Sequence, residues 1–186
     1  MKELLQPGTI GVIPTDTVYG VVARAADQAA VARLYGLKKR EGKPGTLIAA
    51  DLGQLETLGL KHRYLKAVEQ FWPGAVSVII PVSDSKLAYL HRGKMSLAVR
   101  IPDDSKLQKL LVQTGPLLTS SANPTGQPVA VNIGQAKEYF GDQVNFYIDG
   151  GDLSRRQPST IIRIIDDAIE VLRLGAAKVG DGTIQP

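Results

Sequence analysis

IGVIPTDTVYGVVARAADQAAVARLYGL, residues 10–37, carries two periodicities in one stretch. The apolar, β-branched runs from Ile10 to Ile13 and from Tyr19 to Ala23 have the length and composition of strands. Pro14-Thr15-Asp16-Thr17-Val18 interrupts them with turn-forming polar residues. The spacing then changes. Ala30, Val31, Leu34 and Leu37 recur at helical intervals behind Asp27, whose carboxylate suits the unpaired amides of a first helical turn, while Gly36 and Gly42 weaken and end the helix. Strands followed by an amphipathic helix predict an α/β sheet with helices laid on it.

The same alternation continues outward. Further strands are predicted near Thr46 to Ala49, Ala75 to Ile80, Leu97 to Ile101, Leu117 to Thr119, Asn145 to Ile148, Thr160 to Ile165 and Ile169 to Arg173, enough for a large mixed sheet. A second helix is expected from about Arg63 to Phe71, stopping before Trp72-Pro73-Gly74. A third, capped by Asp103 or Asp104, turns Leu107, Leu110 and Leu111 inward, and a fourth lies near Gln135 to Phe140. With 186 residues the expectation is one domain spanning 1–186, and the Gly-rich stretch from Gly175 to Pro186 reads as a partly disordered tail.

Composition narrows the chemistry. The chain is 44% apolar and 22% charged, and its apolar runs, such as Ala75 to Val82, are too short to cross a bilayer. Its first eight residues lack the pattern of a secretory signal, so a cytoplasmic protein is expected. The absence of cysteine excludes disulfides and thiolate chemistry, and two histidines, His62 and His91, put a zinc site of ordinary composition out of reach. A metal here would be hard and oxygen-bound, with Mg²⁺ on phosphates the first expectation. The net charge of +4 favours anionic ligands, and Arg33, Lys38, Lys39, Arg40 and Lys43 crowd into one short segment.

Three polar segments sit beside predicted strands. Residues 14–20 offer two hydroxyls, a carboxylate and an aromatic ring, although a plain hairpin turn uses Thr and Asp equally well. Residues 38–45 join cations to Gly42 and Gly45; this resembles a phosphate loop but not a P-loop, since Gly42-Lys43 is followed by proline, and a solvated charge run ending a helix reads as well. Residues 117–126 run from a strand into Thr119-Ser120-Ser121, whose hydroxyls and amides could hold phosphate or carboxylate oxygens. An Asn-Pro-x-Gly turn explains only the end of that segment. Ser121 is not read as a nucleophile, because no Gly-x-Ser-x-Gly elbow surrounds it.

Taken in order, Pro14-Thr15-Asp16-Thr17-Val18-Tyr19-Gly20, Lys38-x-Arg40, Trp72-Pro73-Gly74, Leu97-Ala98-Val99-Arg100-Ile101-Pro102, Ser120-Ser121-Ala122-Asn123-Pro124-Thr125-Gly126, Pro158-Ser159-Thr160-Ile161 and Leu172-Arg173-x-Gly175 resemble the successive signature motifs of the YrdC family. The resemblance implies an open, twisted mixed α/β sheet flanked by helices, with a concave basic face. It also implies an L-threonylcarbamoyladenylate synthase, a nucleotidyltransferase that makes threonylcarbamoyl-AMP and pyrophosphate from L-threonine, bicarbonate and ATP for tRNA threonylcarbamoyladenosine modification.

By the same resemblance Thr17, Arg100, Thr119 and Ser159 would contact L-threonine, and Arg40, Ser96, Ser121, Val129 and Arg173 would contact ATP. Lys38 and Arg40 would be the catalytic cations. Physically, Arg100 suits a carboxylate because guanidinium makes two parallel charge-assisted bonds, and Lys38 and Arg40 suit charge developing on an α-phosphate. Val129 can supply only backbone or apolar contact. Mg²⁺ would be held mainly by the ATP phosphates, with no protein ligand set. Asp16 is the nearest carboxylate for a base, with orientation of its loop the favoured role. Downstream, the implied partner is the threonylcarbamoyl-transferase complex.

Departures from the family pattern are Glu41 where a proline is usual, a following loop one residue shorter, and alanine near Ala49 or Ala50 where some members carry histidine. No additional C-terminal domain is expected. Two alternatives remain, a YciO-like paralogue and an RNA-binding protein using the same basic face.

Overall fold

The computed structural model describes residues 2–39, 42–166, 168–180 and 183–185. Every expected strand forms: β1 (Ile10–Pro14), β2 (Tyr19–Arg24), β3 (Thr46–Ile48), β4 (Val76–Pro81), β5 (Ser96–Arg100), β6 (Leu117–Ser121), β7 (Phe146–Tyr147), β8 (Thr160–Ile165) and β9 (Ala168–Arg173). All nine join one open sheet in the order β7-β1-β2-β6-β3-β5-β4-β8-β9. The pairs β1/β7, β3/β5 and β4/β8 are parallel and the other neighbours antiparallel, so the sheet is mixed.

Helices α1 (Gln28–Lys38), α2 (Leu52–Leu58), α3 (His62–Lys66), α4 (Ala88–His91), α5 (Ser105–Thr114) and α6 (Ile133–Phe140) connect the strands. Local chemistry sets their starts. Asp27 accepts from the Ala30 amide at 2.9 Å, Asp104 rather than Asp103 accepts from Lys106 and Leu107, and Asn132 accepts from Gln135. The end of α1 differs from expectation: Gly36 stays inside it, and Lys39, in the left-handed region at φ 44°, terminates it before Gly42 is reached.

One expectation is corrected, and the tail gains detail. The helix predicted over 63–71 is the single turn of α3 followed by a separate 3₁₀ turn, Glu69–Phe71. The predicted tail holds two paired strands, β10 (Lys178–Gly180) and β11 (Thr183–Gln185), while residues 181, 182 and 186 lie outside the described residues.

Because successive side chains on a strand point to opposite faces, the sheet sorts its residues by parity. One face buries Val12, Val21, Leu47, Val78, Val99 and Leu118 in a core with Val31 and Leu34 of α1. On the other face Ile13, Val22, Ile48 and Leu117 pack with Leu107, Leu110 and Leu111 of α5. That helix covers only part of the second face. Beyond it, an in-register row crosses five strands as Thr119, Thr46, Ala98, Ile79 and Arg163, and these residues, of which only Ile79 is a large apolar one, face a cavity instead of a core.

Candidate active site

The cavity over this row has a volume of about 780 Å³, within the range of small-molecule sites. Seven strands contribute to its wall. Among the described lining residues are the cations Lys43, Lys94, Arg100, Arg163 and Arg173, together with hydroxyls from Thr17, Thr46, Ser96, Thr119, Ser121 and Ser159, and no carboxylate. Arg100 pairs with Asp16 and Arg163 with Glu170, but neither acid lines the cavity, and its cations and hydroxyls favour an anionic ligand.

The loop after β1 builds one end. Thr15 Oγ1 donates to the Val18 carbonyl at 2.6 Å, lies 3.0 Å from Thr17 Oγ1 and accepts the Thr17 amide at 3.2 Å. A hydroxyl has one proton, so Thr17 donates to Thr15 and keeps its own lone pairs for a donor in the cavity. Arg156 donates to the Thr15 carbonyl and fixes the loop from outside.

Asp16 turns away to meet Arg100, with Nη2 to Oδ1 at 3.0 Å and both side chains about 95% buried. The pair is incompletely satisfied: Asp16 Oδ2 and Arg100 Nε are buried without hydrogen-bond partners. Burial pushes the Asp16 carboxyl above its ordinary value, outweighing the opposing pull of Arg100, and burial likewise lowers the Arg100 pKa. Asp16 therefore stands as the orienting group for a guanidinium that lines the cavity.

Thr119 and Ser159 form the next wall. Gly20 and Gly45 allow it: a Cβ at Gly20 would stand 2.5 Å from Thr119 Oγ1, and one at Gly45 would stand 2.7 Å from the Thr119 carbonyl. Ser159 Oγ lies 2.9 Å from Ser77 Oγ, and Arg173 donates to the Ser159 carbonyl at 2.7 Å and to its hydroxyl at 3.2 Å. Gly175 lets β9 turn here, since a Cβ on it would fall 2.0 Å from the Pro158 carbonyl.

The structure thus gathers Thr17, Arg100, Thr119, Ser159, Ser96, Ser121 and Arg173 around one cavity. Lys38 and Val129 are not among its lining residues, and Arg40 lies outside the described residues, as does Glu41. Lys38 is 3% exposed, and its ammonium donates to the carbonyls of Ser121, at 2.7 Å, and of Asn123, and to Asn123 Oδ1 at 3.1 Å. Thr125 returns a bond to the Lys38 carbonyl. This lysine stitches the end of α1 to the hydroxyl loop after β6. The basic cluster read as a unit divides accordingly: Arg33 bonds Asn145 across the sheet edge, Lys39 caps α1, and Lys43 reaches the cavity.

Sequence reasoning missed Thr46, Lys94 and Arg163. Strand parity could have found two of them, because Thr46 shares a face with Ile48 and Arg163 shares one with Ile161. Trp72-Pro73-Gly74, by contrast, is a packing motif: Trp72 Nε1 donates to the Val76 carbonyl, and the Gly74 amide donates to Ile101, setting β4 beside β5.

An open mixed sheet whose uncovered face presents cations and hydroxyls defines an α/β protein built to hold a small anionic ligand. The Sua5/YciO/YrdC family model, described as telomere recombination, matches residues 3–175, and the chain belongs to that family. A threonylcarbamoyl-AMP synthase of Stutzerimonas stutzeri is 32% identical over 173 residues, covering 87% of this chain and 89% of that protein. The crystal structure of P. abyssi Sua5 complexed with L-threonine is 30% identical with a TM-score of 0.80; it covers 91% of this chain, which spans about half, 51%, of the P. abyssi chain. E. coli YciO is 25% identical with a TM-score of 0.75, covering 90% of this chain and 84% of its own.

Proposed function

We propose that this protein is an L-threonylcarbamoyladenylate synthase, a cytoplasmic nucleotidyltransferase acting on L-threonine, bicarbonate and MgATP to supply the transferase complex that modifies tRNA. One observation carries the reading: a buried guanidinium and the hydroxyls expected for threonine share a cavity with the Ser96, Ser121 and Arg173 expected for ATP. The similarity to a named synthase and to a threonine complex of the same fold supports it.

Arg100, held by Asp16, takes the threonine carboxylate, and the lone pairs of Thr17 face the amine or hydroxyl. The amine nitrogen attacks the bicarbonate carbon, and loss of water leaves a carbamate. A carbamate oxygen then attacks the α-phosphorus, the bond to the bridging oxygen breaks, and pyrophosphate leaves with the electron pair. Lys43 and Arg173, which line the cavity, stabilise the phosphate charge in this reading. Among the described residues no group of three or more His, Cys, Asp or Glu side chains could hold a metal ion, and a hydroxyl-and-cation wall suits phosphate oxygens better than a divalent ion, so Mg²⁺ belongs with the nucleotide as part of the substrate. Lys38 acts by positioning the Ser121 to Asn123 loop, not by touching phosphate.

The test is pyrophosphate release with MgATP and bicarbonate, comparing L-threonine, L-serine and no amino acid. Release that needs both threonine and bicarbonate is expected. ATP binding without threonine-dependent release would favour a YciO-like role for the same fold.

A further inference from the structure

A turn that the sequence reading left unassigned presents a cation to the cavity. His91, Arg92, Gly93, Lys94 and Met95 join α4 to β5, with Arg92, Gly93 and Met95 at φ of 50°, 80° and 53°. Two non-glycine residues in the left-handed region within four positions mark a turn that its surroundings must hold.

His91 does the holding. It is 2% exposed, and its Nδ1 accepts the amides of Gly93 at 3.2 Å and Met95 at 3.3 Å. An acceptor Nδ1 carries no proton, so the ring's N–H sits on Nε2, which is buried with no hydrogen-bond partner. One ring edge is left unmet while the other secures the turn.

Tyr35 ties that turn to the neighbouring loop that leads into β3. Its buried hydroxyl donates to the Leu90 carbonyl at 2.6 Å and accepts the Gly45 amide at 3.2 Å, and the Arg92 guanidinium lies over its ring at 4.8 Å. The outcome is visible at Lys94. Its side chain reaches over Gly42, where a Cβ would stand 3.7 Å from Lys94 Cε and 3.9 Å from Nζ, and both Lys43 and Lys94 line the cavity.

We propose that Lys94 binds the polyphosphate of the nucleotide together with Lys43, and that His91 and Tyr35 are positioning residues for this clamp. The inference rests on the nucleotide reading of the cavity and deepens it. Two lysines that line one cavity beside the Gly42 backbone suit the β- and γ-phosphates, whose oxygens accept charge-assisted bonds.

The experiment measures ATP, AMP and L-threonine binding by calorimetry for the wild type, Lys94→Met, His91→Leu, His91→Asn and Tyr35→Phe, with melting curves to show which variants fold. Lys94→Met changes an exposed side chain and is the primary variant. Its ATP affinity is expected to fall about tenfold, the loss of one charged contact, with AMP and threonine affinities within about twofold of wild type. His91→Leu and Tyr35→Phe should weaken ATP in the same direction without moving threonine, and His91→Asn, which restores an acceptor near Nδ1, should recover most of the loss. ATP affinity unchanged in Lys94→Met, in a wild type that does bind ATP, overturns the clamp and leaves the nucleotide reading standing. A wild type that binds threonine but no ATP overturns both.

Discussion

Asp16 and Arg100 show how one pair can be costly to the fold and useful to the site. Each is almost fully buried and each keeps an unmet polar atom, so replacing both together with well-packed apolar groups need not destabilise the chain, whereas removing one alone strands the other's charge. Retention of the pair fits orientation of the guanidinium. The carboxyl gives the pair a measurable signature. Its folded pKa is raised above 3.8, chiefly by burial, so the folded protein holds this proton more tightly than the unfolded chain does. The stability it contributes is fully present below 3.8 and is lost as pH rises through the raised value. The melting temperature of the wild type relative to Asp16→Asn should therefore fall as pH climbs through that interval and level off above it. A rise instead would show that Arg100's attraction outweighs burial. At neutral pH the same variant should weaken threonine binding while leaving ATP binding alone, because Arg100 loses the charge of its orienting partner, keeping at most a neutral amide acceptor, and the nucleotide's contacts are untouched.

Between elements, the seam of α1 with the loop after β6 carries a comparable load. Lys38 crosses 83 positions of sequence to reach the Ser121 carbonyl, and Ser121 and Asn123 then bond each other and Gln127. Lys38→Met would take the ammonium from three acceptors: the Ser121 carbonyl, which keeps the Asn123 amide, Asn123 Oδ1, which keeps the Ser121 hydroxyl, and the Asn123 carbonyl. A loss of about 2–3 kcal/mol is expected, read as a lower denaturation midpoint together with lost turnover. Turnover lost at unchanged stability would return Lys38 to direct contact with substrate. Such a role is not legible in sequence, since the partners are mainly backbone carbonyls and any residue supplies those. Strands were legible because their short β-branched runs sit between turn residues, and their order in the sheet was not, because register is a property of pairs. Helix α2 escaped notice for a local reason: it has seven residues and buries only Leu55, too little to print a helical period. The paired strands near the C-terminal end are shorter still, at three residues each.

At the scale of the molecule, the site is the part of the sheet that α5 does not cover, and parity decides what it contains. Ser96, Ala98 and Arg100 alternate with Leu97 and Val99, so one five-residue strand gives two buried side chains to the core and three to the cavity wall. Motif order revealed most of these wall residues without revealing that they share a face; Lys94 lies on a turn outside any strand period, which is why only the folded chain discloses it. The wall draws on β2 through β6 and on β8 and β9, from Thr17 to Arg173, so a ligand seated there bridges segments that enter the sheet at opposite ends of the sequence. Such a ligand binds the assembled sheet and has nothing comparable to hold in the unfolded chain. At one hundred times its dissociation constant it should add about 2.7 kcal/mol of stability, which for a chain of 186 residues raises the melting temperature by about 5–10 °C. Scanning calorimetry with threonine, MgATP and both should show one transition that moves upward as a whole. If β8 and β9 formed a separate cooperative unit, the ligand would instead merge two transitions into one, because only the bound state would require both units to be folded together.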